Sequence, residues 1–196
     1  MALHVRKIDN PWDRFSGVRV PAMYIVDYHP VQGGNNPKFD DVSAKVLEFK
    51  EGKAEAVNYF TDLVKANFDP DWNDCYCVSV PSHSSGNISS PIHDLIKRLA
   101  GFNGLKDASG VLVRTETIAK LAHGGNRAIK NHLNSIAINK NCGVDISGKK
   151  VLLIDDVLTT GNSLAACKRI LHEGGADKVF VLALSNTSFD SDEDSE

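Results

Sequence analysis

The stretch VLLIDDVLTTGNS, Val151 to Ser163, decides how this chain folds. Its first four residues, Val151, Leu152, Leu153 and Ile154, form an unbroken apolar run bounded upstream by Gly148, Lys149 and Lys150. Such a run suits a strand covered on both faces, as in a parallel sheet. Asp155 and Asp156 then fall at the carboxyl end of that strand, where open α/β sheets bind their ligands. Thr159, Thr160, Gly161, Asn162 and Ser163 follow, and a helix is predicted to begin among them. Backbone N–H groups, hydroxyls and a helix N-terminus together suit an anion, most naturally a phosphate. Two carboxylates would repel that phosphate, so they are expected to face sugar hydroxyls or a metal-bound group. A ligand with a phosphate at one end and a cis-diol nearby is a ribose 5-phosphate. The stretch has neither the G-x-G-x-x-G of a dinucleotide fingerprint nor the Gly-Lys-Ser/Thr of a Walker A loop.

Upstream of this unit, strands and helices alternate. Val18 to Tyr28 is β-prone and interrupted by Pro21, which predicts an edge strand. Gly33, Gly34, Asn35, Asn36 and Pro37 mark a loop, and Val42 to Lys50 suits strand or helix equally. Ala54 to Phe68 is predicted helical, with Val57, Phe60, Leu63 and Val64 on one face. Tyr76 to Val80 is a short strand stopped by Pro81, Asn87 to Leu99 a helix, and Val111 to Arg114 a strand. The helix after Ser163 is expected to stop at Gly174 and Gly175, and Val179 to Leu184 is the last strand. The alternation implies an α/β fold, a mostly parallel twisted sheet flanked by helices. Residues 1–41 read as a small N-terminal hood, 42–188 as the main domain and 189–196 as an acidic disordered tail.

The chain has 196 residues, 42% of them hydrophobic, enough for one core. No apolar run approaches the roughly 18 residues that span a bilayer, and no signal peptide opens the chain, so a cytoplasmic protein is expected. Cys75, Cys77, Cys142 and Cys167 follow neither a disulfide framework nor a zinc spacing and are expected to be buried or idle thiols. The net charge is −3, but five acids crowd into the final DSDEDSE. The rest carries 22 basic and 20 acidic residues and no basic block, so charge does not indicate nucleic acid. The tail suits a solubilising end, or a contact with a basic protein partner. His4, His93, His123, His132 and His172 lack ligand spacing, and surface or helix-face roles are expected for them.

Asp155 to Ser163 resembles the phosphoribosyl pyrophosphate (PRPP) signature of type I phosphoribosyltransferases. The resemblance implies that Asp155 and Asp156 hold the ribose 2′ and 3′ hydroxyls, and that Thr159, Thr160, Gly161, Asn162 and Ser163 cradle the 5-phosphate. Val80 to Asn87 again leaves a strand and enters a helix, offering a second anion site. In the resembled family this loop binds pyrophosphate, which points to Pro81, Ser82, His83 and Ser84. The hydrophilic segment from Leu112 to Arg127 stands where that family has a mobile lid, and Arg114, Lys120 and Arg127 are its expected cations. Magnesium is the implied cofactor, held through PRPP and in part by Asp155 and Asp156.

Leu47-Glu48-Phe49-Lys50-Glu51-Gly52, with the Val80-Pro81 loop, the Leu112–Thr115 segment and the Asp155–Gly161 run in that order, is similar to the ComF-like (amidophosphoribosyltransferase-like) branch. That branch commonly starts with a cysteine-rich zinc segment, absent here before Cys75, and has a basic stretch where this chain has SHSSGNISS. Lys120 stands where the branch usually has glutamine, and Lys50 is a further source of cations. Thr159 stands where enzymes acting on 6-oxopurines place an acid, which disfavours hypoxanthine and guanine. An N-terminal hood including Trp12, Phe15, Tyr24, Tyr28 and His29 could meet the acceptor, although core packing is the commoner role for such residues.

Two classes of function follow. The first is a phosphoribosyltransferase moving 5-phosphoribosyl from PRPP to an unidentified nitrogenous acceptor and releasing pyrophosphate. The second is a non-catalytic PRPP- or nucleotide-binding sensor, or a ComF-like accessory in a multi-protein system such as DNA uptake. The loop poor in basic residues and the acidic tail favour the second, the Asp155–Ser163 unit is compatible with either, and the enzyme is the preferred reading. A homodimer is common in the resembled family, and no segment demands one.

Overall fold

A computed structural model describes residues 2–8, 20–34, 36–83, 90–116 and 129–187. Among them the chain runs β1 (His4–Ile8), β2 (Val20–Tyr28), α1 (Asp41–Lys50), α2 (Ala54–Ala66), β3 (Tyr76–Ser79), α3 (Pro91–Leu99) and β4 (Lys106–Asp107). It continues through β5 (Leu112–Arg114), α4 (Ile129–Ser135), β6 (Ile136–Ile138), β7 (Lys150–Leu158), α5 (Asn162–Glu173) and β8 (Lys178–Thr187). Six strands form one sheet in the order β1-β2-β8-β7-β3-β4, and β5 and β6 make a separate antiparallel pair. Every pairing in the large sheet is parallel except β1 with β2. Helices cover both faces, as the mostly parallel α/β reading requires.

The apolar run at 151–154 explains the layering. Side chains alternate across a strand, so Val151 and Leu153 point into one core and Leu152 and Ile154 into the other. The first core takes Leu164, Cys167 and Leu171 of α5; the second takes Val46 and Phe49 of α1, Phe60 of α2 and Leu95 of α3. All four strand side chains are fully buried. Each contributes about 1.5–3 kcal/mol relative to exposure.

Several elements differ from expectation. β2 is not the edge strand, because β1 lies outside it. Pro21 is tolerated because its pairing is with Lys7 of β1, while the ladder with β8 begins only at Met23 and Leu182. Its missing N–H therefore falls outside the parallel ladder. Residues 42–50 are helical: Asp40 caps α1 by accepting from Ser43 N at 2.7 Å, and Val46 and Phe49 share its buried face. The helix expected from Asn87 starts at Pro91 among the described residues, capped by Ser90. β7 runs four residues past Ile154. Its pairing with β3 ends at Ile154, whereas its ladder with β8 continues to Leu158 and Asn186. α5 stops as expected at Gly174, and Gly175 takes a left-handed φ of 94°.

Among the described residues no helix is long and apolar enough to cross a membrane. Cys75, Cys77 and Cys167 are buried free thiols, and burial pushes the Cys75 thiol up to about 11.

Candidate active site

β3 and β7 are neighbours, and Ser79 lies opposite Ile154. The two chains leave the sheet together, with Val80 N donating to Ile154 O at 3.0 Å. The loop that begins at Pro81 therefore leaves the sheet next to the part of β7 that continues into Asp155 and Asp156. Ser84, Lys120, Arg127, Trp12, Phe15, His123 and the acidic tail lie outside the described residues.

The two carboxylates turn to opposite faces. Asp155 faces α5, where its Oδ2 accepts from Ser163 Oγ at 3.3 Å. Burial, and next the adjacent Asp156 charge, hold the Asp155 carboxyl well above the usual carboxylate range. Asp156 faces α1, where Lys50 Nζ stands 3.5 Å from its Oδ2. The same ammonium lies 5.9 Å from the centre of the Tyr28 ring. Asp156 Oδ1 also accepts from Val157 N at 2.8 Å, and its carbonyl accepts from Ser185 Oγ at 3.0 Å. Burial thus raises the pKa of one acid while the other faces a lysine, although they are consecutive in the chain.

The loop after β7 exposes Thr159 and Thr160 and then buries Gly161, the N-cap of α5. Gly161 has φ 79°, and a Cβ there would meet Ile8 Cγ2 at 2.6 Å. Only glycine satisfies both the left-handed backbone and the close approach of β1. The first turn of α5 itself contains no acidic residue, and its N–H groups and partial positive charge face the loop, with the Asp155 carboxyl reaching it through Ser163 Oγ. Asn162 and Ser163 are half-buried at this turn.

Arg114 departs from the expected lid. It is only 7% exposed, on β5 beneath the loop after β3. Its Nε donates to Ser82 O at 2.6 Å, one terminal nitrogen to Pro81 O at 3.2 Å, and the other to Ser135 Oγ at 2.7 Å. The guanidinium therefore pins the backbone of two residues expected at the pyrophosphate. Burial lowers its pKa below that of an ordinary arginine. The sequence places Arg114 both at the end of a strand and in the hydrophilic segment expected to be a lid, and it is the strand that holds it. The β5–β6 pair and Ser135 cover it instead.

Other contacts had no local sequence signal. Arg6 donates to Asn186 Oδ1 at 2.7 Å across 180 positions of the chain. His93 was expected on a surface or helix face, but its Nε2 lies 2.8 Å from Ser79 Oγ, which in turn donates to Ser109 O at 3.0 Å. His132 is buried on α4. Tyr24 stacks on His4 at 5.2 Å between ring centres. The pairs Arg6–Asn186, His93–Ser79 and His4–Tyr24 each join separate elements, and their spacing in sequence does not announce it.

Asp155 and Asp156 offer the hard oxygen donors that magnesium prefers, yet on two faces. Among the described residues no three histidine, cysteine or carboxylate groups converge on one point. This donor set fits an ion held mostly by a ligand's own phosphate and hydroxyl oxygens, with one carboxylate assisting.

Residues 108–190, less than half of the chain, match the family described as the phosphoribosyl transferase domain. A ribose-phosphate pyrophosphokinase of Thermoplasma acidophilum is 40% identical over 50 residues, covering 26% of this chain and 18% of that protein. An adenine phosphoribosyltransferase of Mycobacterium tuberculosis is 46% identical over 35 residues, 18% of this chain and 16% of that protein. The chain thus spans less than a fifth of the length of either curated relative. The crystal structure of adenine phosphoribosyltransferase from Leishmania tarentolae superposes with a TM-score of 0.41 at 13% identity, over 93% of this chain and 94% of that one.

Proposed function

We propose that this chain, whose residues 108–190 carry the match to the phosphoribosyl transferase domain, transfers a 5-phosphoribosyl group from PRPP to a nitrogenous acceptor and releases pyrophosphate. The observation that carries the reading is the acidic pair at the end of β7 running directly into the glycine-capped, acid-free N-terminus of α5. Both relatives, a ribose-phosphate pyrophosphokinase and an adenine phosphoribosyltransferase, are named for a phosphorylated ribose, which agrees with it.

In this reading Thr159, Thr160, Gly161, Asn162 and Ser163 bind the 5-phosphate and fix one end of the substrate. Asp155 and Asp156 orient the ribose hydroxyls and offset the positive charge that grows on the ring as the anomeric C–O bond breaks. The bond's electron pair leaves with pyrophosphate, and the acceptor nitrogen forms the new bond to the anomeric carbon. The loop Pro81–Ser84 takes the pyrophosphate, and Arg114 positions it from below. Lys50 supplies a cation that the loop itself lacks, with Lys120 and Arg127 as lid cations. Magnesium, when bound, shields the charge of the leaving pyrophosphate. Anchoring the phosphate far from the reacting carbon lets binding energy position the reacting centre.

Tyr24, Tyr28 and His29 of the N-terminal region are the described candidates for the acceptor's seat. The reach of Lys50, in the Leu47–Gly52 segment, to Asp156 supports the ComF-like assignment. A cytoplasmic setting, a homodimer and a basic partner for the tail complete the proposal.

The test is an assay of pyrophosphate release from PRPP with magnesium against a panel of bases and amines. Asp155→Asn with Asp156→Asn serves as control. Acceptor-dependent release lost in the control supports the transferase. PRPP binding without release by any acceptor supports a sensor or accessory protein instead.

A further inference from the structure

A cavity of about 390 Å³ opens at the start of β8, away from the acidic pair. It exists because β2 and β8 separate there. Their described ladder begins at Met23 and Leu182, which leaves the edge of β8 from Lys178 to Val181 facing the cavity rather than a strand. Pro21, Met23, Val179 and Val181 supply apolar walls. Val5, 65% exposed, stands at the lining as an apolar residue with no core to enter.

α5 contributes two polar groups one turn apart, Lys168 and His172. Lys168 is half-buried, and burial alone pushes its pKa below that of an ordinary lysine. Among the described residues no carboxylate forms an ion pair with it. The other lining lysine, Lys178, differs: it has Asp71 Oδ2 at 3.4 Å and the Phe180 ring at 4.5 Å. Of the lining acids, Asp69 accepts from Asp71 N at 2.8 Å, and Asp177 is exposed at the start of β8. His172 Nδ1 lies 3.3 Å from Ala176 O. A carbonyl only accepts, so Nδ1 carries the proton and Nε2 is left for another group. A desolvated cation beside apolar walls is costly, and an anion that brings its own apolar body offsets that cost.

We propose that this cavity binds a small organic anion with an apolar body, its anionic group on Lys168 and its body against Val179 and Val181, which face the α5 side of the sheet. The site is separate from the acidic pair, and the proposal does not depend on the transferase reading. The two share α5: Cys167 packs toward Asp155, and the next residue lines the cavity.

Anilinonaphthalene sulfonate is the probe, an aromatic body bearing one sulfonate. Titrated into the full chain, it is expected to show saturable, blue-shifted fluorescence with one site per chain by calorimetry. Lys168→Met, which keeps the aliphatic stem, is expected to weaken binding at least about tenfold, the scale of a lost charge-assisted contact. Lys168→Arg is expected to restore it, and Asp155→Asn to leave it unchanged. Circular dichroism and thermal melts establish that each variant is folded. The proposal is overturned if folded wild type shows no saturable binding, if Lys168→Met binds equally well, or if Asp155→Asn abolishes binding.

Discussion

Asp155 and Asp156 are neighbours in sequence and opposites in environment. Asp155, half-buried like its neighbour, looks toward α5 and Ser163 Oγ, and burial with the adjacent Asp156 charge raises its pKa. Asp156 looks toward α1, half-exposed, with the Lys50 ammonium against it. Strand alternation makes this unavoidable for consecutive residues. The lesson is that an acidic pair at a strand end is not one unit. Burial holds the inner acid's carboxyl well above the usual carboxylate range, whereas the outer one has the Lys50 ammonium 3.5 Å away.

Breaking the inner side has the largest expected effect. Under the proposed transferase function, Asp155→Asn is predicted to lower the rate by about a hundred- to a thousandfold, the scale of one lost transition-state contact. Asp156→Asn should cost nearer about tenfold, or about 1.4 kcal/mol of barrier. Steady-state rates of the two variants compare them directly, and equal losses would erase the distinction.

Arg114→Met leaves Pro81 O, Ser82 O and Ser135 Oγ without their shared donor. Urea unfolding should register a loss of about 3 kcal/mol. Gly161→Ala should cost about 1–3 kcal/mol from its φ alone, and more from the contact with Ile8. Adding Ile8→Ala should recover the steric part but not the backbone part, which a double-mutant cycle separates.

The pH dependence of stability isolates Asp155. Its carboxyl binds a proton more tightly folded than unfolded. Between its ordinary value of 3.8 and its raised value, the folded chain holds more protons than the unfolded chain. Its contribution is therefore fully present below 3.8 and is lost as pH rises through the raised value. Asp155→Asn should flatten that decline and raise the melting temperature at neutral pH. A melting curve series in which the variant tracks wild type at every pH would contradict the burial of this acid. The smallest effect belongs to the outer side. Lys50→Met removes a pair whose side chains are 40% and 32% exposed, so stability should change by less than about 1 kcal/mol.

The parallel core was legible because the run at 151–154 is apolar without interruption, and only a strand covered on both faces has that use for it. The α5 start was legible from Thr159 to Ser163 because turn and cap chemistry are local. What the sequence hid is set by distant partners. β1 has no apolar run of its own, and its role emerges only when Ile8 closes on Gly161. Pro21 argued for an edge that β1 occupies instead. Arg114 sits in a hydrophilic stretch, and nothing near it announces that Pro81, Ser82 and Ser135 will surround its guanidinium. The split between Asp155 and Asp156 followed from strand alternation, but only once β7 was known to continue through them to Leu158.

The most direct measurement is calorimetric titration of PRPP with magnesium into wild type and into Asp155→Asn at two buffer ionisation enthalpies. The account predicts saturable binding to wild type with proton release, as the inner acid ionises against the ligand. It predicts much weaker binding and no such release for the variant. PRPP binding that is indifferent to Asp155, or no binding to either protein, would contradict it.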